Sequence, residues 1–279
     1  MKKLILSFVL LFALNQQVKA TQWMTSFEDA KKLAVATNKL ILVDFWATWC
    51  GPCKRMDSES WNSPEVQDLM SNFIPLKIDI DVNRKLSSKY NIRSIPDVYI
   101  LDSNGEILFQ RKSYMMKSQV MQLLKKYTYG TNFLQQDYLN YKKTKSGDNA
   151  LKIAEKYFDY SIYVKKEVKN DFLSLANKYL KLTYKLYKKE GSKNKNAQRI
   201  HLFGDVYKYL VRGNYEKTIK QLKDDFPENK IDTSNKSLYD FMYFTAYNKL
   251  KDKGNARIWY EKLKTNKGYK DLLLKSRKI

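Results

Sequence analysis

The sequence predicts an α/β domain built on a mixed central sheet, followed by an all-α domain. Three observations carry this. Short apolar runs rich in β-branched and aromatic residues alternate with helix-patterned stretches as far as Tyr127, the pattern of a sheet flanked by helices. From Asn132 onward the strand signal stops and helical spacing takes over. Composition changes at the same place. Residues 21–127 carry 15 basic and 12 acidic side chains, residues 128–279 carry 34 and 17, and 17 of the 21 tyrosines follow residue 127. The expected division is therefore a leader at 1–20, an α/β domain at 21–127 and a basic, Tyr-rich helical domain at 128–279.

The leader comes first. Met1-Lys2-Lys3 precedes Leu4 to Leu14, apolar except for Ser7, and Val18-Lys19-Ala20 offers a small-x-small exit. A basic start, a short apolar core and this exit describe a secretory signal peptide cut after Ala20. Eleven helical residues span about 17 Å against a hydrocarbon core of about 30 Å, too short for an anchor. Cleavage lowers the net charge from +23 to +20. Export also sets the redox context, because secreted cysteines meet oxidising surroundings. A dithiol working there needs an outside source of electrons.

Ser26 to Thr37 reads as a helix, and Leu40 to Trp46 (LILVDFW) as a buried strand. A helix begins at Cys50-Gly51-Pro52-Cys53, and Ser63-Pro64-Glu65 supplies a second start, an N-cap followed by Pro in the first turn. Phe73 to Ile80 is the next strand, Asn83 to Tyr90 a helix and Asp97 to Leu101 another strand. Ser103-Asn104-Gly105 marks a hairpin turn into a strand at Glu106 to Arg111, and Lys117 to Tyr127 closes the domain as a helix.

Cys50 and Cys53 are the only cysteines in the chain, and His201 is the only histidine. A structural zinc site needs about four N or S ligands, and a c-type haem needs His directly after the second Cys, where this chain has Lys54. A bridge across two residues closes almost no loop, so it adds little as an inert staple. A dithiol that cycles between reduced and oxidised forms is the favoured reading, and it needs no bound cofactor. Cys50 at a helix N-terminus faces unpaired N–H groups and the positive end of the helix dipole, which favour the thiolate. Cys50 is thus the expected nucleophile and Cys53, one turn inside, the resolving thiol. Asp44 stands within the apolar strand run. Either it lies exposed at a strand end, or it is a desolvated carboxylate able to take a proton from Cys53. Lys77 is its candidate partner, or else a solvated strand residue. Ile95-Pro96, on local physics alone, is an ordinary turn.

With these residues in view, Asp44-Phe45-Trp46-Ala47-Thr48-Trp49-Cys50-Gly51-Pro52-Cys53-Lys54 resembles the active-site stretch of the thioredoxin family. Lys77 stands where that family has its buried lysine, and Ile95-Pro96 where it has its cis-proline. The resemblance covers about residues 23–127. It implies a thioredoxin fold, with Cys50 attacking, Cys53 resolving, and Asp44 with Lys77 as proton relay. Trp49, Gly51, Pro52, Ile95 and Pro96 would line the substrate groove. Met56-Asp57 and Trp61 to Val66 are similar to exported thioredoxin-like domains, including the C-terminal domain of the membrane disulfide reductase. Two positions depart from the family. Ser58 replaces a helix-kinking proline, and Ser113-Tyr114 replaces a groove-bordering glycine, so the site should be narrower or reshaped.

In the helical half, Ser146 to Ala150, Arg212 to Glu216 and Lys253 to Arg257 share a local pattern, each opening a helix. Gly at the turn, an aromatic-bearing helix and Pro227 after Phe226 weakly resemble tetratricopeptide repeats, although the starts lie 66 and 41 residues apart. An irregular bundle is the alternative. Nucleic acid is not the expected partner, because the chain has 44 Lys against 8 Arg and base and phosphate recognition favours Arg. An acidic protein or an anionic membrane surface fits the basic half better. The expected whole is a periplasmic thiol–disulfide oxidoreductase that reduces protein disulfides and is re-reduced by a membrane electron donor. Disulfide oxidase or isomerase activity is the alternative direction. A non-catalytic helical adaptor or holdase is the alternative class.

Overall fold

A computed structural model of the chain describes residues 22–192 and 195–279. The expected signal peptide lies outside the described residues. Backbone contacts divide the chain after Gly130 into two compact units.

The first unit is a four-stranded sheet with helices. In chain order it runs α1 (Phe27–Thr37), β1 (Leu40–Trp46), α2 (Gly51–Met56) continuing as a π-helical turn (Asp57–Trp61), α3 (Pro64–Met70), β2 (Phe73–Asp79), α4 (Arg84–Lys89), β3 (Asp97–Leu101), β4 (Ile107–Lys112) and α5 (Lys117–Tyr127). Ser26 caps α1 by accepting the Asp29 N–H, and Asn38 ends it in the left-handed region. The strand order is β2-β1-β3-β4. β1 pairs in parallel with β2 and antiparallel with β3, and β3 pairs antiparallel with β4. This is the mixed sheet of the thioredoxin fold.

The central position of β1 explains its nearly unbroken apolar run, since both of its faces are covered. Ile41, Val43 and Phe45 pack into a core with Ala30 and Ala34 of α1 and with Leu76, Tyr90 and Tyr99. Strand alternation turns Leu42 and Asp44 to the other face. There α3 packs on β2 and on α5. In the hairpin, Asp102 Oδ1 accepts the N–H groups of Asn104 and Glu106, each at 2.9 Å. Gly105 has φ +85°, and a Cβ there would stand 2.7 Å from the Phe27 ring, so only glycine fits this turn.

The second unit is helical, with no strand among the described residues. It comprises α6 (Gln135–Lys143), α7 (Gly147–Tyr160), α8 (Lys166–Lys189), α9 (Ala197–His201) continuing through a π-helical turn (Leu202–Tyr207) into α10 (Lys208–Val211), α11 (Tyr215–Asp225), α12 (Lys236–Lys249), α13 (Lys253–Lys264) and α14 (Tyr269–Lys278). The most extensive packings are α7 on α8 and α12 on α13. Ser146 and Asp252 cap α7 and α13 by accepting the N–H groups of Asn149 and Asn255, which is why two of the shared sequence patterns begin helices.

Many tyrosines of this unit sit in its core. Tyr157, Tyr179, Tyr187, Tyr207 and Tyr239 are buried, and their hydroxyls find partners where the ring is inside: Tyr187 donates to Asp148, Tyr207 to Asp159 and Tyr239 to the Phe226 carbonyl. Tyr243 stacks on Trp259 with ring centroids 4.1 Å apart. Tyrosine therefore supplies apolar volume here, and most lysines lie at the surface. Among the described residues no helix is long and apolar enough to cross a membrane.

Candidate active site

The site is built where β1 hands over to α2. Cys50 is the N-cap of α2, with extended backbone, and its Sγ accepts the Cys53 N–H at 3.2 Å. That contact places a backbone donor on the sulfur expected to carry negative charge. Cys50 and Cys53 are joined in a disulfide, so the structure shows the oxidised form. Pro52 lies in the first turn, where its missing N–H costs nothing.

Around the bridge, Trp46, Ile80 and Ile95 pack against Ala47 and the two cysteines. The Ile95-Pro96 bond is cis, where local physics suggested an ordinary turn and the family resemblance implied the cis form. Cys50 is only 3 % exposed, so in the bridged state the expected nucleophile is almost as covered as its partner. Its neighbours leave an approach. Trp49 is 66 % exposed, Gly51 and Pro52 are exposed, and a Cβ on Gly51 would meet nothing within 4 Å. The Trp49 indole N–H donates to Asp81 Oδ2 at 2.8 Å, which holds the exposed ring in one orientation.

Three charged side chains gather one helical turn beyond Cys53. Asp44 and Lys77 are register partners across β1 and β2, with Lys77 Nζ 3.8 Å from Asp44 Oδ2. Lys77 makes its closer ion pair with Asp57, whose backbone N–H donates to the Cys53 carbonyl. The lysine is framed by the Trp46 and Trp23 rings, 4.9 and 5.6 Å from their centroids, a cation–π setting that holds it in place. Burial pushes the Asp44 carboxyl up to about 7; the Lys77 charge opposes this and the Asp57 charge adds to it. Asp44 Oδ1 and Trp61 Nε1 are both buried without a hydrogen-bond partner of full geometry. A carboxyl titrating near neutrality can both take and return a proton.

Helix α2 runs on into its π turn at Asp57–Trp61. The Asn62 N–H bonds to the Asp57 carbonyl, and the Ser58 hydroxyl bonds back to the Arg55 and Lys54 carbonyls at 3.1 and 3.3 Å. A π turn of this kind breaks the regular ladder, one of the helix irregularities at which bends form without proline. Among the described residues no group of three or more His, Cys, Asp or Glu is arranged to hold a metal ion.

The thioredoxin family model matches residues 22–128. Thioredoxin-1 of Drosophila melanogaster is 42 % identical over 77 residues, 28 % of this chain and 70 % of that protein. Thioredoxin of Bacillus subtilis is 32 % identical over 114 residues, 39 % of this chain and 96 % of that protein. This chain belongs to the thioredoxin family. Its thioredoxin domain also aligns with the reduced C-terminal domain of Neisseria meningitidis DsbD, at 23 % identity and a TM-score of 0.33, covering 36 % of this chain and 92 % of that one. Family membership and the Cys50–Cys53 pair make the protein a thioredoxin-like thiol–disulfide oxidoreductase.

The structure of the thioredoxin domain packs Ile95 against the Cys50–Cys53 pair, with Pro96 next in the chain, leaves Trp49, Gly51 and Pro52 exposed beside it, and sets Asp44 with Lys77. Asp44 is buried, which removes the exposed strand-end alternative. Lys77 is paired rather than solvated. Sequence reasoning missed Asp57 as the nearer partner of Lys77, although it falls four residues after Cys53, on the same helical face. It also missed Asp81, the anchor of Trp49.

Proposed function

We propose that this is an exported protein of the periplasm that reduces disulfides in client proteins and is recharged by a membrane electron donor. The observation that carries the reading is the Trp49-Cys50-Gly51-Pro52-Cys53 bridge at a helix start, with an ionisable carboxyl-lysine-carboxyl cluster one turn beyond it. The Gly-Pro dipeptide resembles the reducing members of the family. Thioredoxin itself sits at about −270 mV and the strongest periplasmic oxidant at about −120 mV, roughly 7 kcal/mol apart.

The cycle starts from the dithiol. The Cys50 thiolate attacks a client disulfide, forming a mixed disulfide and releasing one client thiolate, which takes up a proton. Cys53 passes its proton to the Asp44 carboxylate and attacks Cys50 Sγ, releasing the second client thiolate, which is then protonated. Two electrons pass to the client, the Cys50–Cys53 bridge forms, and a dithiol donor of the membrane reduces it again. Lys77 and Asp57 set the charge around Asp44. Trp49, Gly51, Pro52, Ile95 and Pro96 hold the client chain beside the sulfur. The helical half, whose helix pairs weakly resemble tetratricopeptide repeats and carry the excess of lysine, recruits an acidic protein partner.

Insulin reduction with dithiothreitol tests the chemistry: wild type should accelerate it and Cys50→Ser should not. The equilibrium potential against glutathione tests direction, and a value above about −180 mV, the isomerase region, overturns the reductase reading. Partner binding that survives in Cys50→Ser/Cys53→Ser, with no insulin reduction by wild type, would favour the adaptor. Cell fractionation with N-terminal sequencing checks localisation, the expected mature start being Thr21.

A further inference from the structure

We propose that residues 113–115 form a wall beside the dithiol that admits slender, extended disulfide-bearing segments and holds back compact, folded disulfides. The inference rests on the oxidoreductase function proposed above and concerns what the site accepts.

The starting observation is a backbone outlier. Ser113 has φ +87°, a region that glycine occupies freely and a residue with a Cβ does not. Such conformations persist only where surrounding contacts impose them, and they gather at working sites. Here the contacts are specific. The Ser113 N–H donates to the Pro96 carbonyl at 2.9 Å, directly after Ile95, which packs against both cysteines. Tyr114 donates to Glu59, and the Arg55 guanidinium lies 4.4 Å from the centre of its ring. The buried Ser60 hydroxyl donates to the Met115 carbonyl at 2.8 Å.

Three consecutive residues are thus pinned at one end to the cis-proline turn and at the other to the helix that starts with Cys50. Arg55 and Glu59 belong to that same helical stretch, two and six residues beyond Cys53. The wall is therefore fixed relative to the sulfur, and Ser113 is exposed upon it. Next to Cys50 itself, the space at Gly51 is open. A single extended strand can reach the sulfur over the open Gly51 backbone, whereas a bulky folded domain has to clear the anchored 113–115 segment as well.

The test compares two substrates with the full-length protein: a short linear peptide carrying a glutathione mixed disulfide, and native insulin. The readout is the ratio of kcat/KM for insulin to that for the peptide, in wild type, Ser113→Gly and Ser113→Gly/Tyr114→Ala. The ratio should rise about tenfold in the double variant, the lower end of what one small steric group contributes to substrate discrimination, and part of the way in Ser113→Gly. Ser113→Gly should melt no lower than wild type, because glycine suits the observed φ. If the double variant fails to fold, the single variant still decides. A ratio unchanged in Ser113→Gly and in any folded double variant overturns the wall. Wild type that turns over neither substrate overturns the oxidoreductase reading instead, so the two failures are distinguishable.

Discussion

Replacing Asp44 with Asn should make the oxidised protein more stable at neutral and alkaline pH while slowing its chemistry. Asp44 is buried, and its carboxyl titrates at about 7 against 3.8 in the unfolded chain. The sign follows from linkage. A carboxyl raised on folding favours the native state below its unfolded value, and that advantage is lost as pH rises through the folded value. The wild type therefore sheds stability between about pH 4 and pH 7. The difference of about three units, at ~1.4 kcal/mol each, amounts to ~4 kcal/mol. The amide of the Asp44→Asn variant carries no charge to desolvate, and Lys77 keeps its ion pair with Asp57, so no orphan cation is left to offset the gain. Urea denaturation of both oxidised proteins from pH 4 to pH 9, followed by tryptophan fluorescence, measures the gap. Trp23, Trp46, Trp49 and Trp61 all report on the thioredoxin domain and only Trp259 on the helical unit. The gap should open with rising pH and reach its plateau above about pH 8. Equal stability at pH 8, or a gap already full at pH 4, would refute the placement of Asp44 as a desolvated carboxyl.

Asp57→Asn removes a negative charge that raises the Asp44 carboxyl and frees Lys77 to pair with it, so the pH midpoint for resolving a trapped mixed disulfide should move to the acid side; an unmoved midpoint would place Asp57 outside the relay. Asp81→Ala releases the Trp49 indole, and stopped-flow kinetics should show a higher KM for protein disulfides with the potential unchanged. In the helical unit, an added Cβ at Gly147 would stand 2.2 Å from the Tyr187 ring. Gly147→Ala should cost about 1–3 kcal/mol in that unit's denaturation, with insulin reduction intact.

Much of the thioredoxin domain was legible in the sequence because local signals and tertiary demands agree there. β1, β3 and α5 begin and end at the residues the sequence predicts; for the two strands, coverage on both faces leaves few ways to write them. The dithiol stood out because elimination left cysteine spacing with one good chemistry. What stayed hidden is held together through space or backbone geometry. Lys77 meets Asp57 across 20 positions of chain; the spacing from Cys53 puts Asp57 on the dithiol's helical face, but only the fold brings the lysine to it. The π turn at Asp57–Trp61 has no composition signature. Ser113 gave away its position through the family comparison, but its left-handed backbone is visible only in three dimensions. In the helical half, the patterns at Ser146 and Lys253 marked helix starts, whereas the pairing of helices depends on which tyrosine faces meet, and periodicity alone does not order them.

The placing of both sulfurs in the first unit has a consequence for the second. No cysteine follows Cys53, so the helical unit carries no thiol that an oxidising environment could cross-link, cap or scramble. Its surface keeps one covalent form whichever way the bridge stands. The acidic partner proposed above would meet the same set of side chains there in either redox state.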